Sequence, residues 1–473
     1  MTMNKNDLIR LSVTDLNNLG CGVGHLAGGD ADGMTVFVQG AITGDEIEAR
    51  VIKVTRGYLV ARLERIVIPS EYRSSSDCNA SLGCGGCVYR HVIYSHELDR
   101  KRAYVKNAFK KAGLADVTVE AVRSTGETVG YRNKAQYPVG VDREGKTVAG
   151  FYAVGSHRIV PSDRCALQPT VFERIARFVC DFCDRNRIPI YDERTGKGLL
   201  RHLYLRMGKA TGEVMVCLVV KGDSLPHEED FALEIIETFP SVVGVLLNTN
   251  RADTNVVLGE RYRVLAGKDS IEDELCGLRF RISPQAFYQV NHDACELLYG
   301  IAKERADLSG GELLLDLYCG IGTIGLSMAD RAGEVMGVEI VPEAVECAKE
   351  NAARNGITNA TFVCGDASDP NGLLRIAADL RGDLSGAVVI LDPPRKGTTR
   401  ELIASISAHG VKKVVYVSCN PDTLARDCAW FREEGYEIGS VTPVDLFPRT
   451  GHVESVVSIS RPGSRRQNDC REL

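Results

Sequence analysis

Four short stretches of the chain carry residue types that can do chemistry together. Ser418-Cys419-Asn420-Pro421 places a cysteine just after a β-type run, Lys413 to Val417. A thiolate is a strong nucleophile, and one held at the carboxyl end of a parallel strand lies in a cleft. Asp392-Pro393-Pro394-Arg395 follows the run Ala387 to Leu391. Its prolines stiffen the loop and remove backbone donors, and its aspartate faces the expected cofactor and substrate pocket. Asp316-Leu317-Tyr318-Cys319-Gly320-Ile321-Gly322-Thr323 joins a buried strand to a helical pattern, and its glycines let the backbone come close to a ligand. Glu339, 17 residues after Gly322, ends the next strand, where a carboxylate accepts hydrogen bonds from both ribose hydroxyls. The motif is D-L-x-C-G-x-G rather than G-x-G-x-x-G, which favours S-adenosylmethionine over a nicotinamide cofactor. Asp366, after the third strand, is placed to reach the adenine.

A D-P-P motif alone would suggest methylation of an amino group on a base. That reaction needs no cysteine, because the nitrogen attacks directly. Carbon 5 of uracil is a poor nucleophile. A thiolate adding to carbon 6 creates an enolate and makes carbon 5 nucleophilic. Cys419 therefore points to a uracil carbon. The adduct must then lose the carbon 5 proton to a general base. The fourth stretch, Asp445-Leu446-Phe447-Pro448-Arg449-Thr450-Gly451-His452-Val453-Glu454, offers Glu454 and His452. Glu454 opens the strand pattern Ser455 to Ser458 and can face the cleft, but the residues alone leave the choice open.

Cys78, Cys84 and Cys87, spaced C-x5-C-x2-C, form a further set, with Cys165 the best candidate for a fourth ligand. Spacing allows zinc or an iron–sulfur cluster. Cys180 and Cys183 share a helical pattern with no second pair nearby and read as core.

The elements that must position these residues fall into three parts. Residues 1–67 alternate apolar and polar between glycine-rich turns, the pattern of a small OB-like β-barrel of a type that often binds nucleic acid. Residues 68–275 read as an α+β central region carrying the cysteines. It includes a basic amphipathic helix at 95–112, whose run Arg100, Lys101, Arg102, Lys106, Lys110 and Lys111 is either a solvated face or a grip for phosphates. In residues 276–473, strand, glycine loop and helix recur from about 313, and the continuously apolar strands suit a doubly wound α/β sheet. A net charge of -6 does not itself advertise nucleic-acid binding. The 16 cysteines, in a chain with no apolar leader, are expected as reduced thiols in the cytoplasm. No run is long and apolar enough for a membrane span. A monomer is expected.

The cofactor loop, D-P-P-R, S-C-N-P and F-P-x-T-x-H-V-E occur here in the order seen in bacterial RNA (uracil-5-)-methyltransferases, and the sequence resembles the members that act on 23S ribosomal RNA. The resemblance implies a C-terminal Rossmann-like class I S-adenosylmethionine-dependent domain, with Cys419 as nucleophile and Glu454 as base. Within Phe287-Tyr288-Gln289-Val290-Asn291 it implies that Gln289 touches the cofactor. It places Tyr318, Thr323, Glu339, Asp366 and Asp392 around cofactor and uracil. It identifies the barrel with an RNA-binding TRAM domain, and it assigns a [4Fe–4S] cluster, rather than zinc, to Cys78, Cys84, Cys87 and Cys165. The implied partner is ribosomal RNA, with transfer RNA the alternative substrate. A non-catalytic, cluster-bearing RNA-binding factor is the rival reading.

Overall fold

The computed structural model describes residues 3–28, 32–76, 78, 83–162, 164–367 and 383–462. Strands β1 (Leu8–Leu16), β2 (Cys21–His25), β3 (Thr35–Gln39), β4 (Glu46–Val54) and β5 (Tyr58–Ile68) close into a barrel in the order β1-β2-β3-β5-β4. The two-residue period explains it. Ile9, Leu11 and Val13 of β1 turn inward onto Val36, Val38, Ile47, Ala49 and Leu59, and closure leaves no sheet edge unpaired.

After the barrel comes helix α1 (Tyr94–Lys111), then a sheet of β6 (Lys134–Val141), β7 (Thr147–Tyr152), β8 (Ile159–Pro161), β9 (Leu200–Met207), β10 (Val214–Val220), β11 (Val242–Thr249) and β12 (Arg261–Gly267). Its order is β12-β11-β10-β9-β6-β7-β8. The uninterrupted apolar run of β10 is buried on both faces. Val214, Val216, Leu218 and Val220 pack with helices α2 (Thr170–Asn186) and α3 (Glu228–Thr238), while Met215, Cys217 and Val219 join a core shared with the C-terminal domain. Cys183 is buried in the first of these cores.

A hairpin of β13 (Ile271–Leu275) and β14 (Leu278–Ile282) turns through Cys276 and Gly277, both in the left-handed region, which matches strand twist. Helix α4 (His292–Ala306) follows. The last domain alternates β15 (Leu313–Leu317), α5 (Thr323–Ser327), β16 (Glu334–Glu339), α6 (Pro342–Arg354), β17 (Ala360–Cys364), β18 (Val388–Leu391), α7 (Arg400–Ala408), β19 (Lys413–Ser418) and α8 (Pro421–Glu433), then β20 (Glu437–Val444) and β21 (Glu454–Ser460). The sheet order is β17-β16-β15-β18-β19-β21-β20, with β21 running antiparallel to both neighbours. This is the expected doubly wound sheet.

The packing of residues 94–123 departs from the sequence reading, which placed them in the central unit. Val105, Ala108, Phe109, Leu114, Val117 and Val119 belong to the C-terminal core, and Val119 and Arg123 bridge to Val441 and Val444 beside β20. An amphipathic pattern specifies that a helix face is covered, not which sheet covers it. The basic run is also divided. Arg100 pairs with Asp15 at 2.6 Å, Lys101 is 1 % exposed, and Arg102 donates to the Val119 carbonyl at 2.8 Å. Lys106, Lys110 and Lys111 face solvent.

Candidate active site

Parallel register gathers the site at the carboxyl edge of the C-terminal sheet. The last paired residues are Leu317 with Val338, Leu317 with Leu391, and Leu391 with Tyr416. One step further along the strands stand Tyr318, Glu339 and Asp392, with Cys419 just beyond β19. This is the crevice where strand order reverses, the usual ligand site of such sheets. On the antiparallel side Ser418 pairs with Ser455, so Cys419 and Glu454 each lie one residue beyond that pair, and the Glu454 charge reaches the Cys419 thiol. The nucleophile and base candidates, 35 positions apart in sequence, are thus brought to the same end of the sheet.

The cofactor loop is shaped by the backbone. Tyr318 has φ +72° and Gly322 φ +84°, and a non-glycine residue held in that region is a strain found at ligand sites. Gly325 donates to Asp316 Oδ2 at 2.8 Å, and a Cβ on Gly325 would meet that same oxygen at 2.8 Å. Glu339 is fixed from two sides: Oε2 accepts from the Gly320 amide at 3.1 Å and Oε1 from the Val341 amide at 2.9 Å. A carboxylate so oriented keeps lone pairs for a diol, so the donor set fits a ribose. Thr323 Oγ1 lies 2.8 Å from the Tyr299 hydroxyl, a buried partner on α4 that the sequence reading did not single out. The Tyr318 hydroxyl lies 3.5 Å from Thr398 Oγ1. Gln289 is 7 % exposed, and its backbone carbonyl accepts from Asn133 Nδ2 at 2.8 Å. Asp366 is exposed at the end of β17.

Electrostatics separate the titratable groups. Burial, with Asp392 nearby, pushes the Glu454 carboxyl up to about 8, against the pull of Arg395. Burial and then Asp316 push Asp392 up to about 7. Burial likewise raises Asp316 to about 7, opposed by the Gly325 amide and reinforced by Glu339. The Cys419 thiol is raised to about 11 by burial and by the carboxylates of Glu454 and Asp392, while Arg395 opposes them. His452 keeps an exposed edge, yet burial of its ring and the cations Arg395, Arg132 and Lys101 lower its imidazole to about 4. Glu454 is 3 % exposed.

Arg395 also acts on the site, a role that its place in the D-P-P-R motif does not by itself reveal. Its carbonyl accepts from Asn420 Nδ2 at 3.0 Å and Thr423 Oγ1 at 3.2 Å, tying its loop to the cysteine loop. Asn420 also caps α8, accepting from the Asp422 amide at 3.1 Å.

The four expected ligand cysteines come together elsewhere. Cys78, Cys84, Cys87 and Cys165 line one cavity of about 90 Å³ with Arg90, Arg132, Phe151 and Leu167. Burial drives the Cys87 thiol up to about 12, while Arg90 and Arg132 lower it. Among the described residues, no three His, Cys, Asp or Glu side chains are grouped to hold one metal ion. Thiolates of an iron–sulfur cluster each bind a different iron, so their sulfurs stand farther apart than the ligands of a single ion.

Residues 247–462 match the family of tRNA (Uracil-5-)-methyltransferases, and residues 5–63 match the TRAM domain. An uncharacterized RNA methyltransferase of Clostridium tetani is 39 % identical over 98 % of both chains, and one of Halalkalibacterium halodurans 40 % identical over 96 % of this chain and 97 % of its own. Among solved structures, the Pyrococcus abyssi tRNA (uracil-54, C5)-methyltransferase in complex with S-adenosyl-L-homocysteine superposes with a TM-score of 0.74 at 27 % identity, covering 95 % of this chain and all of that one. With an S-adenosylmethionine crevice behind a TRAM barrel, the chain belongs to the RNA (uracil-5-)-methyltransferase family.

Proposed function

We propose that this protein methylates carbon 5 of a uridine in 23S ribosomal RNA through a covalent adduct between Cys419 and carbon 6. The observation that supports the reading is that Cys419 and Glu454 each lie one residue beyond the Ser418–Ser455 pair at the open end of the sheet, near enough for the Glu454 charge to act on the Cys419 thiol. S-adenosylmethionine, when bound, supplies an electrophilic methyl group. The Cys419 thiolate adds to carbon 6, and the electrons move onto oxygen 4 as an enolate. Arg395 is a cation that acts on both groups: its charge opposes the rise in pKa that burial and neighbouring carboxylates impose at Cys419 and at Glu454. It therefore favours the thiolate. Carbon 5 then takes the methyl. Glu454 removes the carbon 5 proton, and the carbon–sulfur bond breaks to release Cys419. An imidazole at about 4 is a weak base beside a carboxylate at about 8, which favours Glu454 over His452.

Gln289, Tyr318, Thr323, Glu339, Asp366 and Asp392 form the cofactor and uracil surround in this reading, with Glu339 on the ribose. The barrel binds RNA beside the target, and the uridine enters the crevice flipped out of its stack. Cys78, Cys84, Cys87 and Cys165 hold a [4Fe–4S] cluster. Four thiols around one cavity, with Arg90 and Arg132 to balance their charge, suit that group. The preference for ribosomal over transfer RNA rests on the resemblance of the sequence motifs; the barrel does not decide it, since the Pyrococcus abyssi tRNA methyltransferase covers 95 % of this chain.

The test is methyl transfer from labelled S-adenosylmethionine to separated ribosomal and transfer RNA from a strain lacking the gene. We expect 5-methyluridine in 23S RNA, no denaturant-stable protein–RNA adduct with Cys419→Ala, and accumulated methylated adduct with Glu454→Gln. Label confined to transfer RNA would overturn the substrate. An adduct that survives Cys419→Ala would overturn the mechanism.

A further inference from the structure

The segment that delivers Glu454 is anchored by a buried ion network outside the crevice. Lys101 of α1 is 1 % exposed, and Glu97 and Asp445 side chains are fully buried. Lys101 Nζ donates to Glu97 Oε1 at 2.8 Å, to Asp445 Oδ1 at 2.7 Å and to the Phe447 carbonyl at 3.1 Å. All three ammonium protons are thereby used. Tyr94 donates its hydroxyl to Asp445 Oδ2 at 2.8 Å. Glu97 Oε1 also accepts the Arg449 amide at 2.7 Å, and Arg449 holds a left-handed φ of +70°. Lys101 thus grips the Asp445 end and the middle of the turn Asp445–Arg449, and Glu97, its partner, holds the Arg449 end through the amide and an ion pair at 3.4 Å; the turn leads through His452 and Val453 into Glu454.

A solvated turn would need no such device. Burying an ammonium and two carboxylates costs desolvation that an apolar cluster avoids, so the network sets geometry more than it adds stability. Its contacts go to the turn before β21 and not to the Cys419 loop.

We propose that Lys101, with Glu97, Asp445 and Tyr94, is a positioning assembly that sets Glu454 for proton removal from the adduct, leaving thiolate addition largely independent of it. This rests on Glu454 being the base. Once carbon 5 has been methylated, Glu454 takes its proton, the electrons reform the ring double bond, and the carbon–sulfur pair returns to Cys419. A base displaced by about an ångström slows that step alone.

The experiment uses full-length holoenzyme with two RNA substrates. RNA tritiated at uridine carbon 5 reports proton removal as released tritium. RNA carrying 5-fluorouridine has no proton to remove, so its stable adduct reports addition and methyl transfer. For Lys101→Met we expect tritium release to fall by about 10- to 100-fold and adduct to accumulate on ordinary RNA, while adduct formation on fluorinated RNA changes less than about 3-fold. Tyr94→Phe, which removes one hydrogen bond and keeps the charges, should show the same split in milder form if Lys101→Met fails to fold. Equal loss on both substrates, or no change in either variant, overturns the positioning role. Glu454→Gln runs alongside: if it fails to trap adduct, the base assignment falls. If it traps adduct and the Lys101 and Tyr94 variants do not, the base assignment stands and this inference falls.

Discussion

At the scale of single residues, the crevice is organised by carboxylates that raise one another. Asp316, Asp392 and Glu454 are all pushed well above ordinary carboxylic acids, chiefly by burial. Glu454 with its ionisation near 8 is a better proton acceptor than a solvated glutamate, whose ordinary value is about 4.3. The same charge works against the proposed nucleophile, since Glu454, after burial, raises the Cys419 thiol. Replacing Glu454 with glutamine removes that negative charge, so the thiol should ionise at lower pH. The pH profile of Cys419 alkylation by iodoacetamide should shift downward in Glu454→Gln and upward in Arg395→Met. Unchanged profiles would mean these charges do not reach the sulfur. Turnover limited by proton removal should rise with pH towards about 8 and then level, because Glu454, as the proposed base, would act only when ionised. A flat profile across pH 6 to 8 in single turnover would contradict that assignment.

At the scale of elements, the loops after β18 and β19 behave as one unit. Asn420 caps α8 and holds the Arg395 carbonyl, and Arg426 of α8 donates to the carbonyls of Lys396 and Thr398. Asp427 accepts from the Thr398 amide at 2.9 Å and from the Tyr416 hydroxyl at 2.6 Å. The chain that carries Asp392 and Arg395 is therefore set by the helix that follows Cys419. Loss of an N-cap side chain costs about 1 kcal/mol. Asn420→Ala should lower stability by about that amount in denaturant unfolding, and by freeing Arg395 it should reduce methyl transfer more than S-adenosylmethionine affinity. Equal losses in both would place Asn420 in the cofactor site instead.

At the scale of the whole molecule, the segment 445–453 is the junction. The Val88 and Tyr89 amides, one and two residues after Cys87, donate to the Arg449 carbonyl at 2.9 and 3.1 Å. Tyr131 donates to the Pro448 carbonyl at 2.9 Å. Barrel residue Asn18 approaches Gly451 so closely that a Cβ there would strike its carbonyl oxygen. The cysteine cavity, the barrel and the catalytic sheet meet around the segment that leads to Glu454. Anaerobically purified protein should carry on the order of four irons and four sulfides per chain with broad absorption in the visible. Cys87→Ser should lose both and lower the unfolding temperature. Iron-free protein with tightly bound zinc would replace the cluster by a single-ion site.

The sequence alone determined the barrel, the doubly wound sheet, the cofactor loop and the nucleophile candidate. Each is a local pattern: alternation in β1, apolar runs before Asp316, Asp392 and Cys419, and glycines where the backbone bends. It also presented the four cysteines as a set. Tertiary structure decided what depends on contacts between distant segments. It brought Glu454 close to Cys419 by inserting β21 beside β19, and it lowered His452 by burying its ring, with cations from three other parts of the chain adding to the effect. It moved α1 from the central unit to the catalytic sheet and turned Lys101 from an apparent surface charge into a buried anchor. Periodicity shows that a face is covered, but only the packed chain shows which charges meet beneath it.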